Sequence, residues 1–320
     1  MTDAGAARAV DGIEEVTYGV EDVDTVRAFF ETFGLERTES TASGAAFHTP
    51  EGAGVRVVAS GDASLARFAP LQPGPTVRDM VWSVADRAAL DALGAELGAD
   101  RDVTLDAGGT LRTVDAMGLS IGFRVSSVVR APHVSNATHA PTTRAPIFER
   151  AKPVHLGHIV FFTGNFDESI RFYTERLGFT LSDTLTLHGN AFGAFLRAPG
   201  AINHHNLFFI KSSGPGINHL SFRVGDISEM MAGRTFMERN GFPCEWGLGR
   251  HAPSSAMFNY FPCPAGGFAE YHFDEDVILD PSAWQPKVWD VTEPGSANQW
   301  VGRPPEALQK GPQAVGGSAR

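Results

Sequence analysis

The chain has 320 residues, 42% hydrophobic and 20% charged, which is material for two average packed cores or one large one and excludes disorder as the main state. The 26 Lys and Arg against 37 Asp and Glu give a formal charge of −11, which argues against a sequence-independent grip on nucleic-acid phosphates or an anionic membrane. Cys244 and Cys263 are too few for a disulfide framework or a structural zinc site, no apolar run reaches the ~18 residues of a membrane span, and the first residues lack a secretory core, so the expectation is a cytoplasmic protein without nucleic-acid or membrane partners.

In chain order, residues 1–12 read as a flexible N-terminus. Residues 23–35, VDTVRAFFETFGL, predict a short amphipathic helix closed by a Gly turn. RDMVWSVAD (78–86) and AMGLSIGFRV (116–125) follow as further landmarks of the N-terminal half. An Ala-, Pro-, Thr- and Ser-rich stretch, taken as a linker over 131–152, contains a chance glycosylation match at Asn136. Beyond it, 154–162 alternates as a strand and 166–179, FDESIRFYTERLGF, repeats the helix-and-Gly pattern. Short strands are predicted at 180–186, 193–196 and 206–210. The pattern then restarts with a strand at 217–224, a helix at 227–240, and closing strands at 257–261 and 268–272. Residues 291–320 read as a C-terminal tail, loose from Arg303 onward.

The two helix segments resemble one another, RDMVWSVAD parallels NHLSFRVGD (218–226), and AMGLSIGFRV parallels PAGGFAEYHF (264–273). A separation of about 140 to 150 residues signals duplicated domains rather than a solenoid. The expected fold class is α+β: two homologous domains, 13–130 and 153–290, each of paired βαβββ units whose curved mixed sheet surrounds a cavity.

The C-terminal half concentrates histidines: His155, His158, His188, His204, His205, His219, His251 and His272. Strand periodicity lets His158, His219 and Glu270 face one concave surface, and two imidazoles with one carboxylate suit a non-haem Fe(II) that keeps open positions. A single strand-end histidine is more often structural than functional. By counting, however, His219 aligns with Asp79, Glu270 with Gly122, and His158 with Glu15 or Val16, so the fold is repeated and the triad is not. His155 is expected on the opposite side of its strand from His158, and His204 pointing away from His205. His188 and His272 are left without a role.

These residues give the chain a resemblance to the type I extradiol ring-cleavage dioxygenases of the vicinal oxygen chelate superfamily, which also includes glyoxalase and bleomycin-resistance proteins. The most specific segment is GRHAPSSAMFNYFPCPAGGFAEY (249–271), similar to the family signature of a His, a Tyr, Pro-x-Gly and a Glu. The resemblance implies a vicinal oxygen chelate fold and His158, His219 and Glu270 as iron ligands. It implies His205 as the acid–base histidine beside the O2 site, and His251 with Tyr260 as the pair that hydrogen-bonds a diol oxygen. It also implies Fe(II), or Mn(II) on the same donors, with O2 as co-substrate and a small aromatic diol as substrate. Meta cleavage in aromatic-compound catabolism by a homo-oligomer follows, the N-terminal half serving as scaffold. Asn259 and Cys263 depart from the signature next to the active strand. Phe161, Phe162, Phe195, Phe208 and Phe258 are expected to suit an aromatic pocket. The competing readings are a metal-dependent lyase or isomerase of the same superfamily and a non-catalytic aromatic-binding protein.

Overall fold

The computed structural model describes residues 10–129 and 146–311. Residues 1–9, most of the expected linker with Asn136, and 312–320 lie outside the described residues. The N-terminal half runs β1 (Val10–Val20), α1 (Val23–Phe33), β2 (Glu36–Ser40), β3 (Gly44–His48) and β4 (Gly54–Ala59). It then repeats as β5 (Thr76–Val84), α2 (Arg87–Leu97), β6 (Thr104–Leu105), β7 (Leu111–Val114) and β8 (Ser120–Val125). The C-terminal half begins with β9 (His155–Thr163), α3 (Phe166–Arg171), β10 (Thr180–Leu187), β11 (Asn190–Arg197) and β12 (Leu207–Lys211). Its second unit is β13 (Gly216–Arg223), α4 (Ile227–Arg239), β14 (Trp246–His251), β15 (Met257–Pro262) and β16 (Phe268–Phe273). After it come β17 (Lys287–Asp290), β18 (Asn298–Gln299) and α5 (Glu306–Gln309).

The α+β fold of paired βαβββ units is what the chain adopts. The N-terminal sheet has the order β2-β3-β4-β1-β5-β8-β7-β6, with β1 antiparallel to β5 at its centre and each joined in parallel to the last strand of its own unit. The C-terminal sheet repeats this as β10-β11-β12-β9-β13-β16-β15-β14, and β17 and β18 extend its two edges. The local causes are readable in α1. Val23, Val26, Phe29, Phe30 and Phe33 fall on one buried stripe, Asp22 caps the start by accepting the Thr25 amide at 2.9 Å, and Gly34 ends it at φ 99°, a conformation glycine adopts without strain. The matching segment in the other half behaves differently. α3 stops at Arg171 and the chain continues as a widened π turn, Phe172–Arg176, which buries the adjacent Phe172 and Tyr173 together.

Each half lends an aromatic helix to the other's sheet. Phe33 of α1 stacks on Tyr271 at 4.1 Å, and Tyr271 donates its hydroxyl to the Phe33 carbonyl at 2.7 Å. In the reciprocal position Trp82 of β5 meets Phe179 at 5.1 Å and Tyr173 at 6.2 Å.

Two sequence expectations about elements are corrected. The Gly-rich stretch holding His251, given no element between the helix at 227–240 and the strand at 257–261, is strand β14: Gly247 and Gly249 are present because neighbouring β15 leaves no room for a side chain, a Cβ at Gly249 lying 2.2 Å from the Phe258 ring. The segment 291–311, expected as a tail, adds β18 to the sheet and folds back so that Leu308 is buried.

Candidate metal centre and its cavity

Strand register builds the site. His158 on β9 lies opposite Ser221 on β13, Ser221 beside Glu270 on β16, Glu270 opposite Tyr260 on β15, and Tyr260 opposite Trp246 on β14. One row thus crosses five strands on a single face, and His219, two residues before Ser221, shares that face. The same register in the N-terminal sheet pairs Glu15 with Val81 and Val81 with Gly122, so the counting that found no second triad agrees with the ladder.

Three donor atoms converge. His158 Nε2 is 3.1 Å and His219 Nε2 3.4 Å from Glu270 Oε2, and the two Nε2 atoms are 3.2 Å apart. Glu270 is fully buried, and neither carboxylate oxygen has a hydrogen bond of good geometry. Burial pushes its carboxyl pKa up, but the facing His158, His219 and His251 outweigh that and hold it well below the usual range. Burial carries His158 down to about 4 against the opposing pull of Glu270, so its imidazole is neutral. Asn218 Oδ1 lies 2.6 Å from His219 Nδ1 and, by accepting its proton, fixes the tautomer with a lone pair on Nε2. A buried carboxylate with no hydrogen bond of good geometry, facing two imidazole Nε2 atoms, is costly alone and fits a divalent cation held by N, N and O donors.

A second buried set, His158, His205 and Glu275, also falls within 4.8 Å. It is the poorer cation site. Burial raises the Glu275 carboxyl to about 8, leaving it mainly protonated at neutral pH, and His205 Nδ1 already faces His204 Nδ1 at 3.2 Å and Glu275 Oε1 at 3.4 Å.

His205 lies in the turn before β12 rather than on the strand, so alternation does not govern it and the expectation that His204 points away is wrong: the two rings meet. His204 Nε2 in turn faces Asp183 Oδ2 at 3.3 Å, and the His205 ring sits 4.0 Å from that of His158. Burial and the neighbouring His158 and His204 keep His205 well below its ordinary pKa. On the opposite wall His251 Nδ1 is 2.6 Å from Asn298 Oδ1, Nε2 is 3.1 Å from the Tyr260 hydroxyl, and the ring stacks on Phe258 at 4.1 Å. The structure thus brings His158, His205, His219, His251, Tyr260 and Glu270 around one space. His188 stays apart in the turn between β10 and β11.

His155 is a further correction. Ser221 pairs with His158 but Arg223 with His155, a bulge at Gly157 that returns His155 to the same face. It is nonetheless structural, buried against Glu51 of the N-terminal half at 2.7 Å. The sequence reading missed His272 and Glu275. His272 is buried behind His158, 2.7 Å from Ser221 Oγ and 3.6 Å from Glu275 Oε2. The alternation in FAEYHF carried the signal, since His272 is two residues from Glu270 on the same face.

The cavity at this centre has a volume of about 130 Å³ and opens to solvent. Phe195 and Phe208 line it; Phe161, Phe162 and Phe258 do not, Phe161 lying in the main core and Phe258 beneath His251. Asn259 and Cys263 are also outside the lining, Asn259 against Cys244 and Met231, Cys263 in the main core, so neither departure from the signature reaches the pocket. Ala297, Asn298, Pro304 and Leu308 of the 291–311 segment complete the wall.

Residues 155–281 match the profile of the Glyoxalase/Bleomycin resistance protein/Dioxygenase superfamily. That segment is therefore a domain of the superfamily, homologous to the metapyrocatechases. Metapyrocatechase 2 of Cupriavidus necator is 34% identical over 166 residues, 52% of this chain and 50% of that protein. The chain spans about half the length of the curated relatives it matches. Among solved structures, the Mn(II)-bound glyoxalase from Novosphingobium aromaticivorans is similar with a TM-score of 0.76 at 24% identity over 97% of both chains. An extradiol ring-cleaving dioxygenase from B. fuscum is similar with a TM-score of 0.72 at 18% identity, covering 94% of this chain and 81% of that one. The fold of the whole chain is theirs. No helix among the described residues is long and apolar enough to cross a membrane.

Proposed function

We propose that the protein is an extradiol dioxygenase that takes O2 and a catechol-type diol and opens the ring beside the diol, with Fe(II), or Mn(II) on the same donors, held by His158, His219 and Glu270. The observation that carries this reading is the convergence of those three buried donors at one end of an open cavity whose other lining groups include a hydrogen-bonded His–Tyr pair. A bound divalent ion would lower the pKa of the diol and pass electron density from it to O2.

The remaining steps belong to the chain. Asn298 accepts the His251 Nδ1 proton, so Nε2 is left to accept from Tyr260 or from a diol hydroxyl, and the pair orients one diol oxygen. Phe258 under the His251 ring keeps that imidazole from turning. His205 is buried and neutral, with Nδ1 toward His204 and Glu275, so its Nε2 is the nitrogen that takes and returns a proton on the O2 side. We assign 153–290, completed by Asn298 and the cavity wall of 291–311, as the catalytic unit and 13–130 as its scaffold.

The test is oxygen uptake and formation of the yellow ring-opened product from simple catechols after Fe(II) loading. Turnover that proceeds equally without O2 would favour a lyase or isomerase. A metal-free protein that binds aromatics tightly without turnover would favour sequestration. His219→Ala and Glu270→Ala are expected to lose the metal. Tyr260→Phe should retain it and slow turnover by about 10- to 100-fold, and equal activity of all three variants would remove the assignment.

A further inference from the structure

The cavity has two chemically different ends. His158, His205, His219, His251 and Tyr260 gather around Glu270, and most of the remaining wall is apolar. On one side Val160, Phe195 and Phe208 form a small cluster separate from the main core, backed by Leu185 and Ile210, with the two phenyl rings stacked at 4.0 Å and 7°. On the other side Trp246 and Leu308 belong to a second separate cluster. Both clusters reach the cavity, so apolar surface that the main core does not use is presented to whatever enters.

Among the described residues, positive charge is missing from this wall. No lysine or arginine is among the described lining residues. Arg250, beside His251, is committed elsewhere, donating to Asp274 Oδ2 at 2.6 Å and to the Ser255 carbonyl at 2.5 Å. Arg197, two residues past Phe195, is buried but does not line the cavity, and Arg303, beside Pro304, is exposed to solvent, where its charge is screened. A carboxylate carried on the ring would therefore be desolvated without a partner and share the cavity with the buried Glu270 carboxylate. An alkyl or aryl group would gain apolar burial against Phe195, Phe208, Trp246 and Leu308.

We infer that the substrate is a catechol with an uncharged apolar substituent, and that the cavity selects against catechols bearing a carboxylate. This rests on the ring-cleavage reading of the site. Binding and turnover are separated in the test, so that the two can fail independently. Anaerobic calorimetric titration of the Fe(II)-loaded protein with 3-methylcatechol, 2,3-dihydroxybiphenyl and 3,4-dihydroxyphenylacetate reads the preference; aerobic oxygen uptake with the same compounds reads the reaction. The neutral compounds are expected to bind about 100-fold more tightly or better than the carboxylate, and Leu185→Arg should narrow that ratio by about tenfold or more. Equal or tighter binding of the carboxylate by the unmodified protein, or no binding of either neutral compound, overturns the inference. A neutral-over-anionic preference without oxygen uptake supports it while removing the ring-cleavage reading.

Discussion

Glu270 and Glu275 are both buried and near neighbours in sequence, yet their surroundings drive them to opposite charge states. Glu270 faces three imidazoles and stays ionised; Glu275 faces Asn203, which donates to Oε2 at 3.1 Å, and the edges of His205 and His272, and burial lifts it to about 8. Under the proposed function the pair separates a ligand from a positioning group, since a neutral carboxyl can hold His205 by one oxygen without competing for a cation. Glu275→Ala should leave metal content unchanged and lower kcat by about 10- to 100-fold through a His205 that no longer holds one orientation. Glu275→Gln, which keeps the shape, should recover most of the loss. Metal analysis beside single-turnover kinetics checks both, and loss of metal in Glu275→Ala would show that the residue acts on the triad instead. Sequence alternation was enough to put His158, His219 and Glu270 on one face because no bulge falls between them in the ladder, which runs unbroken from His219 to Ser221 beside Glu270 and opposite His158. It could not reach His205's partners, because His204 and Glu275 lie outside the strands, where no period relates side chains.

Gly157 shows how an element sets the site. The bulge there bends β9 between His155 and His158, and the space a side chain would occupy is taken by His272, whose Cε1 would lie 2.5 Å from an added Cβ. Gly157→Ala must therefore displace a ring that is bound to Ser221 and packed behind His158. The expected cost is about 1–3 kcal/mol of stability, with weakened metal retention, read by denaturant midpoint and metal content; an unchanged midpoint and full metal occupancy would show that His272 moves aside freely. Regular elements were legible because their apolar periods are strong: α1, α4 and the strands β9, β13, β15 and β16 lie within a residue or so of the expected positions. β14 was hidden because a strand that must admit the Phe258 ring carries glycines, and glycines read as a turn. The 291–311 segment was hidden because its hold on the sheet is a two-residue strand, Asn298–Gln299 against His251 and Arg250, joined by isolated contacts such as the Leu308 carbonyl on Asn218, too short for any periodicity to announce.

Across the whole molecule the duplicated halves differ most where the triad would be repeated. In the N-terminal sheet Asp79 takes the place of His219, and its carboxylate is met at 2.5 Å by Arg112 Nη1 and at 2.7 Å by the Ser120 hydroxyl; Gly122, in the place of Glu270, leaves room for that guanidinium. A fixed side-chain cation thus fills the N-terminal half at the place where the C-terminal half gathers two imidazoles and a carboxylate. The halves are joined by a polar contact that makes their union pH-sensitive. Asp115 accepts the Met117 and Leu119 amides at 2.8 and 3.0 Å and the hydroxyl of Tyr173, from the other half, at 3.2 Å, yet burial still raises its carboxyl to about 6. An unfolded aspartate titrates near ~3.9, so between about pH 4 and 6 the native state binds more protons than the unfolded one, and stability contributed at this site falls as pH rises. The full penalty above the native pKa is at most about 3 kcal/mol. Asp115→Asn keeps an acceptor for the two amides and removes the charge, so its stability relative to the unmodified protein should climb between pH 4 and 7.5 by up to that amount. Urea unfolding of both proteins across this range isolates the site, because the other titrating groups cancel in the difference. A difference that stays flat with pH would mean that the hydrogen bonds from Met117, Leu119 and Tyr173 already offset the burial of the charge.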